Sequence, residues 1–140
     1  SIDTPERAER TQHTMSEADN IAVVTEFVEA WSRLDPDELV GYFTEDVTYH
    51  NMPMAPVEGK ERVRAMIAAF IADWTATTWD LLNIAAAGDV VFAERLDRTT
   101  AGDHHVDLPC NGVFELEDGK IKVWRDYFDL ATFTRGMGQG

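Results

Sequence analysis

Several features that would assign the chain to a specialised class of protein are missing from its sequence. It contains one cysteine, Cys110, so no intrachain disulfide can form. We expect Cys110 to be a small buried apolar residue and not a nucleophile. No apolar run approaches the roughly 20 residues that span a bilayer, and no signal-peptide pattern is recognisable. We therefore expect no membrane span, and the scarcity of cysteine favours a reducing, cytoplasmic location.

Basic residues are also scarce. The sequence has 12 Lys and Arg against 26 Asp and Glu, which gives a formal net charge of −14. Such an excess of negative charge repels phosphate backbones and anionic lipid surfaces, so it argues against nucleic acid or a membrane as partner. With 44% hydrophobic and 27% charged residues, the 140-residue chain has the composition and length of one globular domain.

The first helix signal follows a polar segment. Residues 1–15 show no apolar period and are predicted to form a mobile tail, so that residues 16–140 make up a single domain. Ser16 is a suitable helix N-cap, and Asp19 in the first turn favours a helix start there. The apolar residues that follow recur at helical spacing and form one stripe: Ile21, Val24, Phe27, Val28 and Trp31.

Two further helices flank a short strand. Asp35 and Pro36 are typical of a helix start, and the apolar residues after them predict a helix that extends to Phe43. Val47–Asn51 is predicted to be a strand, which ends at a proline-rich bend because proline lacks the backbone donor. Gly59 precedes a third helix, whose apolar residues recur at helical spacing: Val63, Met66, Ile67 and Phe70.

From about residue 77 the pattern changes to strands separated by tight turns. The turn signals include Asp118-Gly119, a strong hairpin signal, and they separate four predicted strands at about 77–87, 90–99, 104–117 and 120–128. Tight turns join neighbouring strands in antiparallel order, and a last helical turn is expected after Asp129. The sequence therefore predicts an α+β domain in which helices pack against a curved, mostly antiparallel sheet that encloses a ligand pocket.

Two charged residues share an apolar strand face. In the predicted strand 90–99, period-two alternation places Arg95 and Asp97 on the same face. Val91 and Ala93 share that face, whereas Glu94 lies on the other. Charges on an apolar face must be paired or must line a cavity. The pattern alone leaves two interpretations open, a salt bridge at the edge of the sheet or a functional site.

Polar residues on two other strands add to this signal. Asp126 shares a strand face with Trp124 and Phe128, an unusual place for a charge, and titratable groups in such places cluster at active sites. Tyr49 and Asn51 share a face of the short strand, where a phenol and a carboxamide two residues apart can hold a water molecule. Each signal is weak by itself, and only their combination indicates a functional site.

Four segments together resemble the limonene-1,2-epoxide hydrolase family. They occur in the family's order and at compatible spacing: YHNMP at Tyr49–Pro53, ERLD at Glu94–Asp97, GVFELEDGKI at Gly112–Ile121 and WRDYFD at Trp124–Asp129. The likeness extends from about Asn20 to about Phe133. It implies the cone-shaped fold of the NTF2-like or SnoaL-like superfamily, a curved, mostly antiparallel sheet with helices packed on its concave side around a deep pocket.

The resemblance also implies an activity, the one-step hydrolysis of small apolar epoxides of the terpene or cycloalkene type to vicinal diols. It implies no cofactor, no metal and no covalent intermediate. By matching position, Asp126 would be the general base, with Tyr49 and Asn51 helping it to hold the attacking water. Asp97 would be the general acid, and Arg95 would lie between the two aspartates. The implied partners are an epoxide, water and a second copy of the chain, in a homodimer formed through the outer face of the sheet.

The pocket walls are expected to come from the helical stripes and the strands. The candidates are Val28, Trp31, Phe70, Trp74, Leu108 and Phe128. Thr99 and Cys110 depart from the family outside its polar set, and they too are expected to line the pocket. His104 and His105 are neighbours on a strand and so point to opposite faces, and without accompanying ligand spacing they predict no metal site.

Two other functions stay open. A proton-transfer enzyme of the ketosteroid isomerase or SnoaL type needs one base and an oxyanion donor, and it does not require an arginine between two acids. A non-catalytic module that binds small molecules would tolerate loss of any of the five polar residues, yet all five are present. Since a fold alone does not fix function, the preference for the hydrolase rests on these residues.

Overall fold

The structure, a computed structural model, describes residues 15–139. This part of the chain contains four α-helices and six β-strands. In chain order they are α1 (Glu17–Ala30), α2 (Pro36–Val40), β1 (Phe43–Asn51), β2 (Val57–Glu58), α3 (Lys60–Ile71), β3 (Ala76–Ala87), β4 (Val90–Ala101), β5 (His104–Glu117), β6 (Lys120–Tyr127) and α4 (Leu130–Gly136). The tail predicted at residues 1–15 lies outside the described residues except for Met15. None of the described helices is long and apolar enough to cross a membrane.

All six strands belong to one curved mixed sheet, in the order β2-β1-β6-β5-β4-β3. Strands β3 to β6 form the predicted antiparallel meander, and β1 runs parallel to β6. Helix α1 packs against β3 and β4, and α3 packs against β1. The predicted α+β class, with helices on the concave side of a mostly antiparallel sheet, is confirmed.

Side-chain caps begin three of the helices. The Ser16 hydroxyl accepts a hydrogen bond from the backbone N–H of Asp19 at 3.0 Å, and the Asp19 carboxylate accepts one in return from the backbone of Ser16 at 3.2 Å. This reciprocal pair satisfies two backbone donors that the start of a helix leaves unpaired. Asp35 caps α2 in a similar way, with Pro36 at its first position, and Asp129 caps α4.

The second helix is shorter than the sequence pattern predicts. It ends at Val40, and Phe43 is the first residue of β1 instead of the last residue of a helix. The chain leaves the helix at Gly41, and the backbone N–H of Ile121 in β6 donates to the carbonyl of Tyr42 at 2.8 Å. Sheet pairing therefore overrides the local apolar period and extends β1 by four residues beyond its predicted start at Val47.

A bulge in β3 sets which of its side chains face the interior. From the turn at Gly88, β3 and β4 pair residue by residue as far as Asn83, which lies opposite Glu94. The next pair is Leu81 opposite Arg95, so β3 has one extra residue at this point. Because of that extra residue Trp79 lies opposite Asp97 and shares its face.

The core is built around aromatic rings from α1 and three strands. The ring of Phe27 on α1 packs edge-on against Trp124 of β6, with 4.9 Å between ring centroids. Trp124 also stacks on Tyr49 at 4.1 Å and on Phe114 at 5.5 Å. Phe27, Phe114 and Trp124 are fully buried. These contacts fix the position of β6 relative to β1 and β5 and so position the polar side chains on those strands.

Replacement of Phe27 by alanine is expected to lower the free energy of unfolding by about 3–5 kcal/mol, because it removes a fully buried ring and leaves a cavity. Urea denaturation measures this change. Glu26→Ala on the exposed side of α1 is the matched control and should change the free energy of unfolding by less than about 0.5 kcal/mol. Equal stability of the two variants would contradict the central packing role of Phe27.

Candidate active site

A cavity on the concave side of the sheet encloses about 400 Å³ of space, including its mouth. Its walls are mostly apolar and aromatic, and one end is polar. The lining residues come from β1, α3 and the loop after it, the four long strands and the C-terminal segment: Tyr49, Asn51, Phe70, Trp74, Trp79, Asp97, Thr99, Val106, Leu108, Cys110, Asp126, Phe128 and Phe133. A mostly apolar pocket with a few convergent polar groups is typical of small-molecule sites.

At the polar end, one arginine joins two aspartates. Arg95 donates to Asp97 through Nε at 3.0 Å and through Nη2 at 2.9 Å. It donates to Asp126 through Nη1 at 3.0 Å and through Nη2 at 2.8 Å. All three side chains are buried, and Arg95 is fully so. β4 lies inside the sheet between β3 and β5, so the cluster is not the salt bridge at the sheet edge that the sequence pattern left open.

Burial and charge act together on this cluster. Burial would lower the pKa of Arg95, but the charges of Asp126 and Asp97 outweigh it and hold that pKa well above its ordinary value. Burial also raises the pKa of Asp97, against the opposing attraction of Arg95, and the charge of Asp126 adds to the increase. The arginine therefore stays charged, and Asp97 gains a tendency to hold a proton.

Two further side chains contact Asp126 or Arg95. The indole N–H of Trp124 donates to Asp126 Oδ1 at 2.6 Å, and Arg95 Nη2 donates to Cys110 Sγ at 3.1 Å. Cys110 is buried, as predicted. Burial and the neighbouring charge of Asp126 raise the pKa of its thiol far above the ordinary range, so the group stays protonated. A buried thiol of this kind is not an activated nucleophile.

The parallel pairing of β1 with β6 brings Tyr49 and Asn51 to the same end of the cavity. Tyr49 lies opposite Trp124, and Asn51 lies opposite Asp126. Burial and the charge of Asp126 raise the pKa of Tyr49 well above its ordinary value, so its phenol stays neutral. The Nδ2 atom of Asn51 is buried and has no hydrogen-bond partner among the described residues. A buried donor of this kind needs an acceptor inside the cavity.

Four of the six predicted wall residues line the cavity, and two do not. Phe70, Trp74, Leu108 and Phe128 are among the lining residues. The prediction is wrong for Val28 and Trp31, which are core residues behind the wall. Trp31 stacks on Trp79 with 4.2 Å between ring centroids, and it is Trp79 that faces the cavity. The apolar stripe of α1 therefore packs on a layer of strand side chains instead of reaching the cavity, whereas the stripe of α3 reaches it through Phe70.

Some of the lining residues were missed by the sequence analysis. Trp79, Val106 and Phe133 belong to the wall, as do Thr99 and Cys110, which were expected there. The Trp79 indole N–H donates to Thr77 Oγ1 at 3.1 Å, and that hydroxyl lies 2.8 Å from the Thr99 hydroxyl. This chain of hydrogen bonds fixes the indole, over which the Arg95 guanidinium lies at 4.4 Å. The family resemblance pointed to Thr99, but the β3 bulge that turns Trp79 inward has no clear sequence signal.

Within residues 15–139, no group of three or more His, Cys, Asp or Glu side chains is arranged to hold a metal ion. His104 and His105 are both exposed, and His105 Nε2 contacts Asp107 Oδ1 at 2.7 Å on the surface. The groups at the cavity that can take part in a reaction are therefore the two carboxyls, the arginine between them, a phenol and a carboxamide. Such a set can deliver a proton at one point and accept a proton at another.

Comparisons with known proteins connect this geometry to a family. Residues 18–138 match the family model described as the limonene-1,2-epoxide hydrolase catalytic domain. Epoxide hydrolase EphG of Mycobacterium tuberculosis H37Rv is 29% identical over 117 residues, which is 84% of this chain and 78% of EphG. A solved structure of an LEH-like epoxide hydrolase from M. tuberculosis superimposes with a TM-score of 0.77 at 28% identity, covering 89% of this chain and 92% of that one.

More distant structures share the fold. A structure described as a SnoaL-like polyketide cyclase from Jannaschia sp. CCS1 matches with a TM-score of 0.78 at 18% identity, covering 89% of this chain and 94% of that one. At this identity the likeness shows only that the fold is of the SnoaL type. The family model, by contrast, spans nearly all the described residues. The chain therefore belongs to the limonene-1,2-epoxide hydrolase family, which makes it an enzyme of the epoxide hydrolase class.

Proposed function

We propose that the enzyme hydrolyses small apolar epoxides of the terpene or cycloalkene type to vicinal diols. In this proposal an activated water molecule attacks the ring in one step, without a covalent intermediate. The observation that carries it is the pair of buried carboxyls, Asp97 and Asp126, which one arginine joins at the end of an apolar cavity. The other candidate, a proton-transfer isomerase, gives no role to an arginine that bridges two acids.

Asp97 is the proposed general acid. Opening an epoxide produces an alkoxide, a poor leaving group that needs a proton as the C–O bond breaks. Burial raises the pKa of Asp97, so a proton on this carboxyl is favoured more than on an exposed aspartate. Asp97 lines the cavity, where the epoxide oxygen would approach it. A carboxyl group with a raised pKa is better suited than an exposed aspartate to donate a proton in the transition state.

Asp126 is the proposed general base, with Tyr49 and Asn51 as the groups that hold the attacking water. Asn51 lies opposite Asp126 on the neighbouring strand, and its unpartnered Nδ2 would donate to the water oxygen. The neutral phenol of Tyr49 supplies a further hydrogen-bonding group at the same end of the cavity. Held in this way, the water would keep its lone pair directed at the ring while Asp126 takes up its proton.

The protons balance over one turnover. Asp97 gives one proton to the epoxide oxygen, and Asp126 accepts one from the attacking water, so the product is a neutral diol. The two carboxyls exchange their protonation states, and one proton must return from Asp126 to Asp97 before the next cycle. Attack from the side opposite the breaking C–O bond implies inversion at the attacked carbon. No step needs a metal or a cofactor.

The walls of the cavity support the apolar substrate class. Apart from the polar end, the side chains that line it are mostly aromatic and aliphatic, among them Phe70, Trp74, Leu108 and Phe128. An apolar ring is favoured in such a cavity over a charged or strongly hydrated molecule, because burial of an unpaired charge is costly.

We also propose that the enzyme works in the cytoplasm, where a reducing environment keeps its single thiol reduced.

The outer face of the sheet supports a proposed homodimer. Three large apolar side chains are exposed there, Leu82 at 55%, Phe92 at 44% and Tyr127 at 46%. Leu82 and Tyr127 line a shallow groove on that face together with Leu96 and Pro109. Exposed apolar groups that cluster on one face are typical of an interface between proteins.

The activity is tested with a panel of small cyclic epoxides in ¹⁸O-labelled water under single-turnover conditions. We expect a vicinal diol that carries the label already in the first turnover, because water attacks the ring directly. Mass spectrometry of the diol measures the label. An unlabelled first-turnover diol would mean that an oxygen of the protein attacks, and the absence of any diol would contradict the proposed function.

The acid and base assignments are tested with Asp97→Asn and Asp126→Asn. Each variant keeps the size of the side chain and loses the proton donor or acceptor, so kcat/KM for a cyclic epoxide should fall by about 10²–10⁴-fold. Because both groups act in one step, the double variant should be little worse than either single variant.

Asp107→Asn, an exposed aspartate on β5, is the matched control and should keep the wild-type rate. Circular dichroism checks that every variant is folded. A folded Asp97→Asn variant with a near-wild-type rate would contradict the assignment of the acid.

The dimer is tested by light scattering coupled to size-exclusion chromatography. The wild-type protein should elute with twice the chain mass of 15.7 kDa, whereas Phe92→Asp should shift it toward the monomer because it places a charge in the interface. Met54→Asp changes a residue of similar exposure away from that face and should leave the dimer intact. A monomeric wild-type protein at micromolar concentration would contradict the proposed interface.

A further inference from the structure

Arg95 reaches Asp126 across an intervening strand. Arg95 lies on β4 and Asp126 on β6, and β5 runs between them. Neighbouring strands lie about 4.8 Å apart, so the backbones of β4 and β6 are separated by about 10 Å. The guanidinium group must therefore lie over β5 to make its two hydrogen bonds to Asp126. Any side chain of β5 that projects into the cavity at this point competes with it for space.

Gly112 occupies the point on β5 where this crossing ends. It pairs with Ala93 of β4 on one side and with Asp126 of β6 on the other. A methyl carbon at position 112 would lie 2.7 Å from Arg95 Nη1 and 2.9 Å from Asp126 Oδ1. Those two atoms are joined by a hydrogen bond of 3.0 Å. The methyl carbon would thus press on both ends of that hydrogen bond.

The backbone conformation at position 112 does not explain why the residue there is a glycine. Several glycines of the described residues have a positive φ angle, and these lie in turns and at the ends of elements. Gly112 is not one of them. Other residues of the same strand adopt extended backbone without strain. The explanation therefore lies in the space around this position, where a methyl carbon would meet Arg95, Asp126 and the ring of Phe114.

We propose that Gly112 is a positioning residue for the hydrolysis: its missing side chain lets Arg95 cross β5 and join the two carboxyl groups. Gly112 does not line the cavity, so it acts through Arg95 and Asp126 and not on the substrate. The inference rests on the proposed function, because positioning has a kinetic meaning only if these carboxyls carry out the reaction.

The geometry also predicts which part of the cluster a larger residue would disturb. Asp97 is held by Nε and Nη2 of Arg95, whereas the methyl carbon would press on Nη1. The link between Arg95 and Asp97 should therefore survive, and the link to Asp126 should be displaced. The titratable groups around Asp126 are Arg95, Asp97, Cys110 and Tyr49, and among them only Arg95 carries a positive charge. The neutral side chains of Trp124 and Asn51 complete its surroundings.

A purely structural role is the competing explanation. The same methyl carbon would lie 2.8 Å from the ring of Phe114, which is fully buried in the core. Replacement of Gly112 could therefore destabilise the fold through overpacking alone. The two explanations differ in what restores activity, because a smaller residue at position 114 relieves the contact with the core but not the contacts with Arg95 and Asp126. Since Phe114 also stacks on Trp124, the single variant Phe114→Leu serves as the reference for the double variant.

The test compares the wild-type enzyme, Gly112→Ala, Phe114→Leu and the double variant Gly112→Ala with Phe114→Leu on one cyclic epoxide. Gly112→Ala should lower kcat by about 10²-fold, the effect of misplacing a reacting group by about 1 Å, with little change in KM. The low-pH limb of kcat/KM should move to higher pH, since a buried carboxylate that loses a cationic donor takes up a proton more readily.

Gly41→Ala at the end of α2, remote from the cavity, is the matched control and should keep the wild-type pH profile. The double variant should regain stability but not kcat. Recovery of kcat in the double variant, or an unchanged kcat and pH profile in a folded Gly112→Ala enzyme, would overturn the proposal. So would failure of both variants to fold, since Gly112 would then be a requirement of folding. An inactive wild-type enzyme would instead contradict the proposed function.

Discussion

A single buried guanidinium group holds together two carboxyl groups that would otherwise repel each other. Removing a charged group from water costs several kcal/mol, and the mutual attraction within the cluster offsets that cost only with good geometry. Arg95 provides such geometry, since it makes two hydrogen bonds to Asp97 and two to Asp126. Apolar residues of similar volume would commonly give equal or greater stability in a core. The cluster is therefore better explained by chemistry than by folding.

The sheet provides the alignment that this cluster requires. The parallel pairing of β1 with β6 places Asn51 beside Asp126, and the β3 bulge turns Trp79 toward Asp97. Trp124 connects the aromatic core to the site, since its ring packs on Phe27 and its N–H donates to Asp126. A change in the register of any of these strands would move at least one polar group out of the cavity, because a shift by one residue reverses its face.

Local sequence patterns predicted the parts of the structure that depend on neighbours along the chain. The Ser16 cap and the inward face of Arg95 and Asp97 follow from spacing alone. The features that were missed depend on pairing between distant segments. Two-residue β2 is too short for a period, and Phe43 joined β1 because β6 pairs with that segment. Val28 and Trp31 were placed in the wall because helical spacing shows which face is buried but not how many layers separate it from a cavity.

The difference between the two carboxyl groups follows from their donors. Asp126 accepts from Arg95 Nη1 and Nη2 and from the Trp124 indole, whereas Asp97 accepts only from Arg95. More donors favour the charged form of a carboxyl group, and burial with fewer donors favours the neutral form. The proposed acid is thus the carboxyl group with fewer donors, and burial raises its pKa, although one arginine serves both aspartates. The roles proposed for these two aspartates differ because β6 places a tryptophan beside one of them, whereas the other is held by the shared arginine alone.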